Sequence, residues 1–281
     1  MAVDPGLFGP NSVTWNLHGD PAMWLGGIGS LFLQALHPRA VAGIVQNSIF
    51  RSDPLGRLER TASFVSLSTY GTHEQVHAAA AHVRRVHSAL KGRDQDTGER
   101  FPVDDPELLL WVHCAEVASF ASVTVRAGFP ATRAHLDRYF LEQRRSAELV
   151  GLSARDVPGS VGEMADYFTA MKPQLRCTPD ADIVYEFLHL PPMPRWLRLP
   201  VRHGYQPLGH LSYSLLPDWA IRLYDRPAYS EERATSRART FRDVALLIPK
   251  RLRWSVPSSH ALAAVRRLGR AATPSPALLP R

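Results

Sequence analysis

Apolar residues recur at three- and four-residue steps along most of this chain. Trp24, Ile28, Leu31, Phe32, Ala35 and Leu36 form one such face, the signature of an amphipathic helix. His37-Pro38 ends it, because the residue before a proline is pushed out of helical backbone. Asp53-Pro54 is a cap followed by a first-turn proline, predicting a helix through Leu58, Thr61, Phe64 and Val65 to about Thr69. Thr72 and Gln75 have capping-box spacing. They open a helix whose apolar stripe is Val76, Ala80, Val83, His87 and Leu90, with Gly92 as its stop. Residues 91–104 carry hairpin or loop chemistry.

Asp105-Pro106 repeats the start signal, and the helix it opens, to about Arg126, is apolar on most of its circumference. Such a helix belongs at the centre of a fold. Further helices are predicted at 131–150, 160–172, 180–189, 207–215, 217–224 and 230–249, with Pro191-Pro192-Met193-Pro194 as a rigid crossing. No alternating strand pattern stands out. The expectation is all-α: one helical domain over 1–250, and a basic tail over 251–281 that is disordered after Arg270.

Composition narrows this little. Of 33 Lys and Arg residues only Lys91, Lys172 and Lys250 are lysines, a bias that reads as genomic rather than as phosphate recognition, so no nucleic-acid partner is expected. The basic C-terminal region, with Trp254, suggests peripheral contact with an acidic membrane. Two cysteines exclude a disulfide framework. Asp4, Pro5 and Gly6 precede any apolar signal segment, so a cytoplasmic location is expected. Gly26-Gly27-Ile28-Gly29 lacks dinucleotide spacing, and phosphate-loop and nucleophile-elbow motifs are absent.

Histidines therefore carry the candidate chemistry. His87 lies on an apolar stripe and His113 inside the most apolar helix. Either imidazole could ligate a haem iron, and either could be a core histidine satisfied by a carbonyl. His37 is placed to cap its helix. Arg57, Arg60 and Thr61 share a helical face, suited to steering dioxygen or to bridging acidic partners. His73-Glu74-Gln75-Val76-His77 has the zinc-binding H-E-x-x-H spacing, but it opens a helix where capping already explains Thr72 and Gln75. Glu186 and His189 supply a weaker di-iron pattern with it.

Six stretches together resemble the MpaB/rubber-oxygenase (latex-clearing protein) family over about residues 4–250. They are D-P-G-L-F-G at 4–9, H-G-D-P-A-M-W at 18–24, L-Q-A-L-H-P-R-A-V-A-G at 33–43, D-P-L-G-R-L-E-R-T at 53–61, R-R-V-H-S-A-L-K-G at 84–92 and L-L-W-V-H-C-A at 109–115. The resemblance implies a globin-like helical core around one b-type haem, with an R-x-x-K-T element on the distal side. Arg57, Arg60 and Thr61 match that element, except that Arg60 replaces a lysine. An arginine does not realistically lose its proton, so a sixth iron ligand from this position is not expected. The resemblance further implies His87 as the iron ligand and His113 as a nearby pocket histidine, with His37, Tyr70 and Glu116 as supporting groups.

The expected function is a haem-b oxygenase using dioxygen on a hydrophobic, alkene- or isoprenoid-like small molecule, admitted past Trp24, Phe64 or Trp111. The alternatives are a haem-binding or gas-sensing protein without turnover, and a non-haem metal enzyme built on His73, Glu74 and His77.

Overall fold

The structure, a computed structural model, describes residues 3–47, 54–191, 204–256 and 258–280. The central element is α6 (Pro106–Arg126), started by Asp105, whose Oδ1 accepts the Glu107 N–H at 3.0 Å. Trp111, His113, Cys114, Ala115, Val117 and Phe120 are among its buried residues. It is long and apolar enough to cross a membrane, yet most of its apolar window is packed inside the protein.

Against α6 lies α2 (Met23–Ala35). Gly26 makes the close crossing possible, because a Cβ there would come within 3.1 Å of the Ser119 carbonyl and 3.2 Å of the Phe120 Cα. The glycine run that fails as a nucleotide motif is thus a helix-crossing device. At His37 the chain bends by 106° and a new helix, α3 (Pro38–Asn47), begins at once. The proline break was legible in the sequence. The immediate restart was not, although proline is well suited to a first helical turn.

The remaining helices wrap this pair. They are α1 (Val13–His18), α4 (Pro54–Tyr70), α5 (His73–Ala89), α7 (Arg133–Leu149), α8 (Val161–Met171), α9 (Pro179–His189), α10 (Gln206–Ser214), α11 (Asp218–Tyr224), α12 (Glu231–Leu247), α13 (Lys250–Arg253) and α14 (His260–Leu268). The only sheet among the described residues is a hairpin of β1 (Lys91–Arg93) and β2 (Arg100–Pro102), which pairs Gly92 with Phe101. The predicted capping box of α5 is present: Thr72 Oγ1 accepts from Gln75 N at 3.3 Å, and Gln75 Oε1 accepts from Thr72 N at 3.1 Å. The Pro192–Pro194 crossing and the Asp53 cap lie outside the described residues.

Two long-range attachments position the site. The buried Glu142 carboxylate on α7 accepts from the backbone N–H groups of Val13 and Thr14 and from the Thr14 hydroxyl, so it caps α1. The C-terminal tail corrects an expectation. Residues 270–280 pack against α1 instead of fraying, with Trp15 Nε1 donating to the Ala272 carbonyl at 2.9 Å and Ser275 N–H donating to Asn16 Oδ1 at 3.0 Å. Proline and alanine composition suggested disorder, but the acceptors this segment offers belong to buried partners far away in sequence.

Candidate functional site

Two adjoining chambers open beside α6 and share a wall of His18, Val65, Thr69, Glu116 and Phe120. The smaller, about 110 Å³, lies among α4, α5, α6 and α7, and is lined by Phe64, His87, Leu109, Val112 and His113 among others. The larger, about 210 Å³, is bounded by Met23, Trp24, Ile28, Leu31, Thr61 and Tyr70, and by residues from 205 and 253–261. A third cavity of about 260 Å³, on another face of α6, carries no titratable side chain among the described residues of its wall. The two adjoining chambers are therefore where chemistry can be placed.

His113 and Glu116, one helical turn apart on α6, both face the smaller chamber. Burial pushes the His113 imidazole down to about 4, so the ring is neutral, and its Nε2 is buried with no hydrogen-bond partner among the described residues. Burial acts oppositely on the Glu116 carboxyl, raising it to about 7 with no cation to offset the effect. His87 comes from the last turn of α5; it is half-buried, its basicity is lowered by burial, and its ring makes no hydrogen bond to a described residue. Two of the predicted histidines thus meet in one chamber.

The shared wall contains a histidine to which sequence reasoning gave no role. His18 ends α1, with Nδ1 2.8 Å from Thr69 Oγ1 and Nε2 3.1 Å from Tyr139 Oη. Thr69 already donates to the Val65 carbonyl at 2.9 Å. Thr69 must therefore accept, which puts the His18 proton on Nδ1 and leaves Nε2 to accept from Tyr139. Burial without a counter-charge drops the ring to about 3. His18 is a fully satisfied neutral strut between α1, α4 and α7. Its signal in the sequence was only its place in the 18–24 stretch.

The other predicted residues divide. Thr61 is exposed and lines the larger chamber, and Arg60 is exposed on the same helix; the Arg57 side chain lies outside the described residues. Tyr70 also lines the larger chamber, but its hydroxyl donates to the Trp15 carbonyl at 2.9 Å and is used structurally. His37 is not in either wall. Its Nδ1 accepts the Ala40 N–H at 3.3 Å, so it caps the start of α3 rather than the end of α2. Trp24 and Phe64 do line the chambers, whereas Trp111 is fully buried elsewhere and donates to the Gln34 carbonyl at 3.0 Å.

The zinc-like motif has no metal-site geometry. His73, Glu74 and His77 are exposed, and His73 Nδ1 lies 2.7 Å from Asp4 Oδ1. No group of three His, Cys, Asp or Glu side chains among the described residues is placed to hold a metal ion. His189 sets its Nδ1 2.9 Å from the Tyr185 carbonyl, within a cluster of aromatic rings.

No individual curated protein and no solved structure matches the chain. One family does, described as the ER-bound oxygenase mpaB/B'/rubber oxygenase catalytic domain, and the match runs over residues 15–273. A match over nearly the whole chain, on a helical fold whose buried imidazoles line paired chambers, makes this protein a member of the mpaB/rubber-oxygenase family.

Proposed function

We propose that the chain is a haem-b-dependent oxygenase acting with dioxygen on an apolar small molecule, and that His87 holds the iron. The observation that carries this reading is the smaller chamber: two neutral imidazoles, one with an unpartnered buried Nε2, stand beside an unpaired carboxyl among apolar side chains. A buried donor or acceptor without a partner calls for an occupant. The donor chemistry suits an iron macrocycle, which takes a neutral imidazole as ligand and an apolar slot for its ring. Neither chamber alone reaches the roughly 300–1,000 Å³ of a typical small-molecule site, so such a group must draw on both. Bound there, haem supplies activation of dioxygen for attack on a C=C or C–H bond.

The chain's own groups have separable tasks. His87 offers a ring nitrogen that burial keeps unprotonated. Phe64, Leu109, Val112 and Phe120 exclude water and hold an apolar substrate. Thr61 presents a hydroxyl to the larger chamber, and in this proposal Arg57 and Arg60, on the same helix, take the task of orienting a developing oxyanion. Burial raises the Glu116 carboxyl to about 7, which poises it between its protonated and ionised forms at neutral pH, so it can release and recover a proton without leaving the wall.

The test is an absorption spectrum of protein made with haem supply, in wild type and in the His87→Ala and His113→Ala variants. A Soret band lost only with His87 supports the assignment. Loss only with His113 moves the iron there, and no band in wild type overturns haem dependence. Oxygen-dependent product formation then separates an oxygenase from a carrier or sensor.

A peripheral membrane location is part of the same proposal. Val244, Leu247, Leu252 and Val256 are exposed around Lys250 and Arg251, with Leu247 at 83% exposure. Val256 also lines the larger chamber. Apolar side chains rimmed by cations suit the cytoplasmic surface of an anionic bilayer, and the chamber would then receive apolar substrate from the lipid. If all the protein stays in the supernatant with anionic vesicles at low salt, this location is wrong.

A further inference from the structure

The larger chamber has a polar side that the oxygenase reading does not use. Tyr205 Oη, Arg253 Nε and Ser258 Oγ are all buried, all lack a hydrogen-bond partner among the described residues, and all belong to residues lining this one chamber. Each can donate, and arginine can do nothing else. Leaving such donors buried and unmatched is unfavourable. Three of them around one cavity mark the place of an acceptor.

Charge accounting identifies the acceptor. The carboxylate whose charge acts on Arg253, Asp20, is already engaged: its Oδ2 accepts from Arg242 Nε at 2.9 Å and its Oδ1 from the Ala22 N–H at 3.0 Å. One carboxylate thus faces two guanidiniums, and the Arg253 charge is left without an equivalent partner. Arg253 is otherwise held by a 3.3 Å bond from Nη1 to the Ala245 carbonyl and by the Trp254 ring, 5.7 Å away. A single negative charge completes the set. A dianionic phosphate would bring a second negative charge beside Asp20 that no cation of the described wall beyond Arg253 balances. A carboxylate carries one charge and matches the planar guanidinium fork. Away from these donors, Met23, Ile28, Leu31, Val65 and Phe120 give the wall an apolar stretch that suits an apolar body.

We propose that Arg253, Tyr205 and Ser258 form a subsite for the carboxylate of an amphipathic acid, whose apolar chain points from there into the larger chamber toward Glu116. As an assignment of substrate class this rests on the oxygenase reading; as a binding site it does not. The same chemistry could come from a carboxylate of haem, and the test separates the two sources.

Dodecanoate, dodecanol and hemin are titrated separately into the full-length protein. Binding is read from the fluorescence of Trp24 and Trp254, which line the chamber, and by calorimetry. Wild type is compared with Arg253→Gln, Tyr205→Phe and Ser258→Ala, each checked for unchanged circular dichroism. Arg253→Gln is expected to weaken dodecanoate roughly ten- to a hundred-fold and to leave dodecanol unchanged, with smaller losses from the two hydroxyl variants. Dodecanoate binding that does not depend on Arg253 overturns the subsite. Dependence on Arg253 for hemin alone assigns the carboxylate to the cofactor and overturns the substrate class. Should Arg253 fail to fold as glutamine, the hydroxyl variants carry the same comparison. Arg253-dependent dodecanoate binding by a protein that never shows a Soret band refutes haem dependence and upholds the subsite.

Discussion

Replacing Glu116 by glutamine tests the electrostatics of the shared wall directly. In the unfolded chain this carboxyl titrates near 4.5, and burial raises it to about 7 in the fold. The folded protein therefore binds more protons than the unfolded chain between those values, and stability falls as pH rises through that window. Each tenfold difference in proton affinity between the two states is worth about 1.4 kcal/mol. The penalty is therefore about 1 kcal/mol at pH 5 and about 3 kcal/mol at pH 8. Glutamine keeps the shape and removes the titration. Its unpartnered amide carries a penalty of its own, roughly 1–3 kcal/mol, but that penalty is the same at both pH values. Urea unfolding of wild type and Glu116→Gln at pH 5 and pH 8 isolates the difference. The variant should gain about 2 kcal/mol on wild type between the two conditions, a large share of a typical domain's stability. A gap between the two proteins that does not change with pH would refute the picture of an uncompensated buried carboxyl.

Three further outcomes follow from the same contacts. His18→Ala removes the acceptor of the Tyr139 hydroxyl and the donor to Thr69, and should lower unfolding free energy in urea by roughly 2–4 kcal/mol; a loss under about 0.5 kcal/mol would contradict its role as a strut. Arg242→Met leaves the Asp20 carboxylate buried beside Arg253 without its principal partner, and should destabilise by about 3–5 kcal/mol at pH 7, an effect that shrinks in acid as Asp20 protonates. His113→Gln removes a ring held near pKa 4 against an ordinary 6.5, so the loss of stability on acidification from pH 6.5 to 4 should become shallower by one proton's worth of slope in a pH series of unfolding midpoints.

The sequence was informative where one local signal decides the outcome. Thr72 with Gln75 and Asp105 with Pro106 each predicted a helix start that the structure contains, because a cap involves only residues three or four apart. The all-round apolarity of 106–126 located the central helix for a similar reason. Signals that depend on distant partners were misread or unseen. The Ala-Pro-Ser tail looked disordered because nothing near it needs its carbonyls, whereas Trp15, over 250 residues away, does. His37 was misread for another reason: its partner, the Ala40 N–H, is local, but it belongs to the first turn of a helix whose immediate restart the sequence did not show.

The same distinction explains which site residues could be found. His87 and His113 attract notice because each is a titratable ring on an apolar helical stripe, a conflict visible in one dimension. His18 shows no such conflict. It follows Leu17 at the end of a six-residue helix, and its burial is set by Tyr139 on α7 and Thr69 on α4. Tyr205, Arg253 and Ser258 are further from legibility still, since a tyrosine in one segment and an arginine and a serine in another are ordinary surface residues until a fold turns them onto one cavity. What sets the last group apart from His18 is satisfaction. His18 has both nitrogens engaged, and such a residue is explained by the fold alone. The three chamber donors and His113 Nε2 have no partner among the described residues, so the fold does not account for them. Unmatched polar atoms are an observation that only three dimensions supply; Thr124, His189 and Ser212 carry one each away from the two chambers, but those of Ser68, His113, Tyr205, Arg253 and Ser258 belong to residues lining the chambers that share Glu116. On the proposed reading, the imidazoles of one chamber and the cationic side of the other are parts of a single site.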